Sequence, residues 1–129
     1  MVKKHEGFRQ FPYKCTADKL TIGYGFNLDD VGLSETESEV LLNMRLNELH
    51  HKMLQHEWYK IQNEARQGAL LDMAYNLGIT GLKKFRKMIR ALSIGDFAEA
   101  SVQALDSRWA VQVGMRAHTI ADIIERGEY

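Results

Sequence analysis

The chain has 129 residues, with 17 basic and 17 acidic side chains, 45% hydrophobic residues, one Pro and one Cys. That length gives one domain or two small lobes, able to bury roughly two thirds of the surface exposed when unfolded. Zero net charge speaks against a nucleic-acid binder, a single cysteine excludes an internal disulfide, and no stretch approaches the ~20 apolar residues of a membrane span.

The first element is a short helix carrying Glu6, and Pro12 stops any continuation of it. A hairpin follows. Tyr13 to Cys15 and Leu20 to Tyr24 hold strand-favouring residues, Thr16 to Lys19 supplies turn types, and Gly23 and Gly25 bracket an aromatic, as glycines do at bends or close approaches. With a three-residue loop of Ala17 to Lys19, Cys15 falls opposite Thr21 and shares its face; a two-residue loop separates them.

From Asp29 onward the chain reads as helical. Ser34 with Glu37 forms a capping box, and Leu42, Leu46, Leu49 and Met53 follow at helical spacing on a linking helix over about 34–56. Ala69, Leu70, Met73, Ala74 and Leu77 form the stripe of a central helix closed by Gly78. Gly81 then opens onto Leu82, Phe85, Met88, Ile89 and Leu92, making a helical hairpin. Gly95 ends that helix, Asp96 with Glu99 caps the next, and Ile120, Ile123 and Ile124 mark a last helix stopped by Gly127.

A carboxyl at the end of one element, with a thiol and a hydroxyl on a tight strand pair, outlines a hydrolytic site. Glu6, eight residues, Cys15, five residues, Thr21 is also the pattern of the phage-type (T4-like) lysozymes and endolysins, in which an Asp or in some members a Cys holds the middle position. The likeness extends through TIGYG at 21–25, DMAYNLGITGLKKF at 72–85, DSRW at 106–109 and Arg116, so the chain resembles that family over nearly its whole length.

The resemblance implies an α+β lysozyme-like fold. It would comprise a small hairpin lobe at about 10–33, the linking helix, and a larger helical lobe at about 60–129 with the N-terminal helix packed on it. It further implies a glycoside hydrolase, an N-acetylmuramidase cutting the β-1,4 bond between N-acetylmuramic acid and N-acetylglucosamine in peptidoglycan. Glu6 would protonate the leaving oxygen as general acid, with Phe8 and Phe11 as an apolar setting. Arg116 matches the arginine that orients the family's glutamate. Asn27, Tyr75, Asn76 and, more remotely, Gln103 would line a cleft between the lobes; Asn27 reads equally as a turn residue, Tyr75 as core and Asn76 as a helix-end polar group.

Cys15 departs from the family majority. A free thiol with a pKa of about 8.5 is mostly protonated at neutral pH unless its site lowers that value. A thioglycoside would leave reluctantly, so Cys15 is expected to position or partly activate a water with Thr21, giving inversion rather than retention. Asp18, the only nearby carboxylate able to substitute as base, reads as a turn former.

Phe26 stands where the family often has a histidine, and the basic run KKFRKMIR at 83–90 reads as a solvated helix face. His50, His51 and His56 carry no metal signature, and no cofactor is expected. The start MVKKHEGF lacks the apolar run of a secretory signal. The expected setting is synthesis in a bacterial cytoplasm and action as a monomer on the periplasmic cell wall, reached through a holin or as part of a phage particle. The competing reading is a silent peptidoglycan-binding or virion structural module, since Cys15 replaces the usual carboxylate.

Overall fold

The computed structural model describes all 129 residues. In chain order the elements are α1 (Val2–Glu6), β1 (Arg9–Lys14), β2 (Leu20–Gly23), β3 (Phe26–Asn27), α2 (Glu35–Met53), α3 (Glu57–Lys60), α4 (Glu64–Lys83), α5 (Arg86–Ser93), α6 (Phe97–Leu105), α7 (Arg108–Val113) and α8 (Met115–Arg126). This is the α+β, lysozyme-like arrangement expected from the sequence. The chain divides into two compact units, Met1–Asn43 and Met44–Tyr129, with α2 carrying the backbone from one to the other.

In the first unit α1 ends at Gly7, whose φ of 70° takes it out of helical backbone. Pro12 therefore lies inside a strand instead of breaking a helix. The strand tolerates it because β1 is an edge of the antiparallel sheet β1-β2-β3 and its register shifts between Arg9 and Tyr13. The third strand was not evident from sequence: Phe26 and Asn27 pair with Ile22 and Thr21. A two-residue strand carries too little pattern to detect.

The hairpin register also differs from expectation. The loop is Thr16 to Asp18, closed by Asp18 N–H donating to the Cys15 carbonyl at 2.8 Å and Cys15 N–H donating to the Lys19 carbonyl at 2.9 Å. Asp18 takes a left-handed φ of 60°, the conformation a three-residue hairpin requires at that position. Thr21 consequently faces Tyr13, and Cys15 faces Lys19. The slip relative to the expected pairing is two residues, so Cys15 and Thr21 still share one face of the sheet.

The capping box of α2 forms as read. The Glu37 N–H donates to Ser34 Oγ at 3.1 Å, and the Ser34 N–H donates to Glu37 Oε1 at 2.9 Å. Of the expected stripe on α2, only Met53 is buried; Leu46 and Leu49 are half-buried and Leu42 is exposed.

The second unit contains the hydrophobic core. Met53, Tyr59, Leu70, Met73, Leu82, Met88, Leu92 and Ile124 are fully buried; of the predicted stripes Ala69, Ala74 and Ile120 are buried too, while Leu77, Phe85, Ile89 and Ile123 are half-buried against this core. Gly78 interrupts α4 with φ 76° and ψ 161°, where the sequence placed a helix end. The helix read from Gly81 to Leu92 is two pieces, broken at Lys84 and Phe85 before α5. Gly95 at φ 75° and Gly127 at φ 72° end their helices as expected.

Candidate active site

The first unit holds Glu6, Cys15, Thr21 and Asn27. Glu6 is the last residue of α1 and is exposed. Its carboxylate lies against Gly25: a Cβ built there would fall on Glu6 Oε2 and 2.9 Å from Cδ. The anticipated apolar setting from Phe8 and Phe11 is not formed, since both rings are mostly solvent-exposed, at 64% and 73%. Phe8 instead packs on Tyr24, ring centroids 5.6 Å apart, while the Lys3 ammonium sits 5.7 Å from the centre of the same Tyr24 ring.

Thr21 is buried, at 3% exposure, and its hydroxyl donates to the Lys19 carbonyl at 2.8 Å. With its single proton so used, the oxygen's lone pairs remain available to accept. The Cys15 thiol is held below its ordinary value, chiefly by the main chain of Lys19 and then of Ala17. Desolvation opposes this, and Cys15's own main chain adds a smaller lowering effect. This face thus stabilises the thiolate relative to that of an ordinary cysteine. Asp18 has the turn role expected of it.

Asn27 is occupied by the turn after β3. Its Oδ1 accepts from the Asp30 N–H at 3.0 Å, and its Nδ2 donates to Asp30 Oδ2 at 3.3 Å. Lys19 Nζ reaches the other oxygen of Asp30 at 3.3 Å, and Asp29 accepts from the Leu20 N–H at 2.6 Å, so two acids pin this turn to the hairpin. The Phe26 ring, standing in the family's histidine position, covers Gly23, where a Cβ would approach it to 2.8 Å.

The second unit holds Arg116, Tyr75, Asn76 and Gln103. The Arg116 guanidinium on α8 donates from Nε to Asp72 Oδ1 at 2.7 Å, from NH2 to the same carboxylate oxygen, and to the Asp72 carbonyl at 3.2 Å. Asn76 Oδ1 accepts from the Trp109 indole N–H at 3.0 Å, and Trp109 in turn meets Phe85 edge-on at 6.1 Å. Asp72, Tyr75 and Asn76 stand at i, i+3 and i+4 on α4, hence on one helical face. Tyr75 is 49% exposed, so it is a surface ring and not a core one.

Gln103 lies elsewhere. It donates to Glu99 Oε1 at 2.7 Å and lines an open groove of about 380 Å³ with Lys84 to Met88, Asp106 and Ser107. Glu99 thereby departs from its expected capping partnership with Asp96, which caps α6 alone by accepting from the Glu99 N–H at 3.2 Å. Asp72 and Trp109, the groups that fix Arg116 and Asn76, were not singled out from the sequence. Their signal was membership of the matched blocks DMAYN and DSRW.

Residues 3–126 match the phage lysozyme family, and the chain belongs to that family. Phage lysozymes are glycoside hydrolases that degrade peptidoglycan. Among relatives, "Probable T4-type lysozyme 2" of Dictyostelium discoideum is 24% identical over 157 aligned residues, which cover 98% of this chain and 92% of that protein. An endolysin of Acyrthosiphon pisum secondary endosymbiont phage 1 is 25% identical, with 85% of this chain and 75% of that one covered. The pre-baseplate central spike protein Gp5 of Enterobacteria phage T4 is 33% identical over 67% of this chain, a match spanning only 15% of the spike protein.

Proposed function

We propose that this chain is an N-acetylmuramidase that hydrolyses the β-1,4 linkage of peptidoglycan, with Glu6 as general acid. The observation that carries the reading is the Glu6 carboxylate over Gly25 in the same unit as a sheet face bearing Cys15 and Thr21. Cleaving a glycosidic bond requires a proton on the departing oxygen as positive charge grows on the sugar ring, and a carboxylic acid supplies it. Water then adds to the anomeric carbon as the bond to the departing oxygen breaks, and its released proton passes to solvent, with Cys15 as the acceptor when it is ionised.

In this reading Thr21 and Cys15 orient that water. Thr21 presents lone pairs to a water hydrogen because its own proton goes to Lys19, and the lowered thiol value makes Cys15 a better acceptor than an ordinary cysteine. Arg116 is the residue proposed for the orienting role, its guanidinium braced by Asp72. Tyr75 is the strongest of the sugar-contacting candidates, an exposed ring with a polar tip. Asn76 would reach substrate through its free amide group, since its carbonyl is bound to Trp109. Asn27 and Gln103 are weaker candidates because their side chains already have partners.

The protein acts on the bacterial wall as a monomer, delivered through a holin or within a phage particle. Product analysis tests the chemistry. Mass spectrometry of digested walls is expected to find muramic acid at the new reducing ends, and NMR of fresh product to find the α-anomer. An N-acetylglucosamine reducing end would overturn the muramidase assignment, and β-anomer would overturn the water-positioning role of Cys15. Binding to walls without cleavage would instead favour a silent module.

A further inference from the structure

We infer that Tyr24 and Gly25 are positioning residues for Glu6, forming a seat that fixes where the acid's carboxyl group sits; this inference rests on the assignment of Glu6 as general acid. The need for a seat follows from α1 itself. A five-residue helix is far below the ~12–15 residues at which an isolated helix becomes even marginal, so its placement must come from contacts beyond it. None of its residues is buried, and it has no side-chain N-cap.

Tyr24 supplies one constraint. Lys3 from within α1 and Phe8 from just beyond it both meet the Tyr24 ring, at 5.7 Å and 5.6 Å, so the ring grips the chain on both sides of Glu6. Both distances suit attraction to an aromatic ring, from a cation in one case and a tilted ring in the other. Gly25 supplies the second constraint. Its φ of 73° is costly for any residue with a Cβ, and its missing side chain is the space that Glu6 Oε2 fills. The atom a new methyl would meet first is the far end of a flexible side chain. A substitution there would therefore displace the carboxylate, and the backbone strain that comes with it is shared by Gly23, whose φ is 67°.

Gly23 gives an internal control, because a Cβ at that position meets the Phe26 ring and not Glu6. The test compares Gly25→Ala, Gly23→Ala, Tyr24→Phe and Tyr24→Ala with wild type for kcat, KM and thermal unfolding. Gly25→Ala is expected to lower kcat about 100-fold, within the range of general acid–base catalysis, with KM within about threefold and a folded, cooperative unfolding transition. Tyr24→Phe should retain activity because the ring remains, while Tyr24→Ala should lose about tenfold or more in kcat.

Gly23→Ala should leave kcat within about threefold of wild type even if stability falls. Full kcat in folded Gly25→Ala, or equal kcat for Tyr24→Phe and Tyr24→Ala, would overturn the seat. Wild-type activity in Glu6→Gln would instead overturn the acid assignment, so the two failures are distinct.

Discussion

At the residue scale, Glu6, Cys15 and Thr21 stand out as candidates because their signal is a spacing within 16 residues, on elements whose local chemistry declares itself. Their contacts were less so. The pairing of Cys15 with Lys19 depends on Asp18 adopting a left-handed backbone, a choice that a turn-forming residue permits but does not announce. Gly25 was recognised as a point of close approach, yet its partner lies 19 residues earlier on another element, which no local pattern specifies.

The Cys15 environment leads to a pH prediction. Donors at Lys19 and Ala17 lower its thiol value, so the folded chain keeps the thiolate at a lower pH than the unfolded chain does. The associated stabilisation is present above the unfolded value and lost as pH falls through the folded one. Iodoacetamide alkylation followed against pH should accordingly reach half its maximal rate at lower pH in native protein than in urea-unfolded protein. A native midpoint at or above the unfolded one would remove the basis for Cys15 as an acceptor.

At the element scale, caps and glycine stops were readable. The Ser34–Glu37 box, Asp96, Gly78, Gly95 and Gly127 each act within a few residues of themselves. The short helix α3, the strand β3 and the break at Lys84 and Phe85 were not, because they arise where packing outweighs a weak local preference. Arg66 is an instance that sequence gave no means of finding. From α4 it donates to the last carbonyls of α8, Nε to Ile124 at 2.6 Å and NH2 to Glu125 at 3.0 Å, and lies 3.3 Å from the Phe97 ring centre.

Three helices thus meet at one guanidinium. Arg66→Ala should destabilise the protein by about 2–4 kcal/mol in urea unfolding, from two charge-assisted hydrogen bonds and the ring contact. Arg66→Lys should recover part of that loss. A change below about 0.5 kcal/mol would show that solvent substitutes for the clamp.

At the scale of the whole molecule, burial is divided unevenly. Every buried apolar side chain belongs to the second unit, from Met53 to Ile124, whereas Thr21 is the one buried residue of the first. The helical stripes made that core legible, since their 3.6-residue period coincides with what is buried. The proposed acid and its sheet face therefore stand in the unit with the least buried apolar surface. Local contacts such as those of Tyr24 and Gly25 consequently carry the task of holding the reacting groups.

The balance of 17 basic and 17 acidic residues limits long-range attraction to an anionic wall, leaving catalysis to depend on local geometry. The most direct measurement is the turnover of purified peptidoglycan by wild type and Glu6→Gln, compared at matched folded concentration. Glu6→Gln should lose at least about 100-fold in kcat while still binding the wall. Turnover within about twofold of wild type would contradict the assignment of Glu6 as the proton donor.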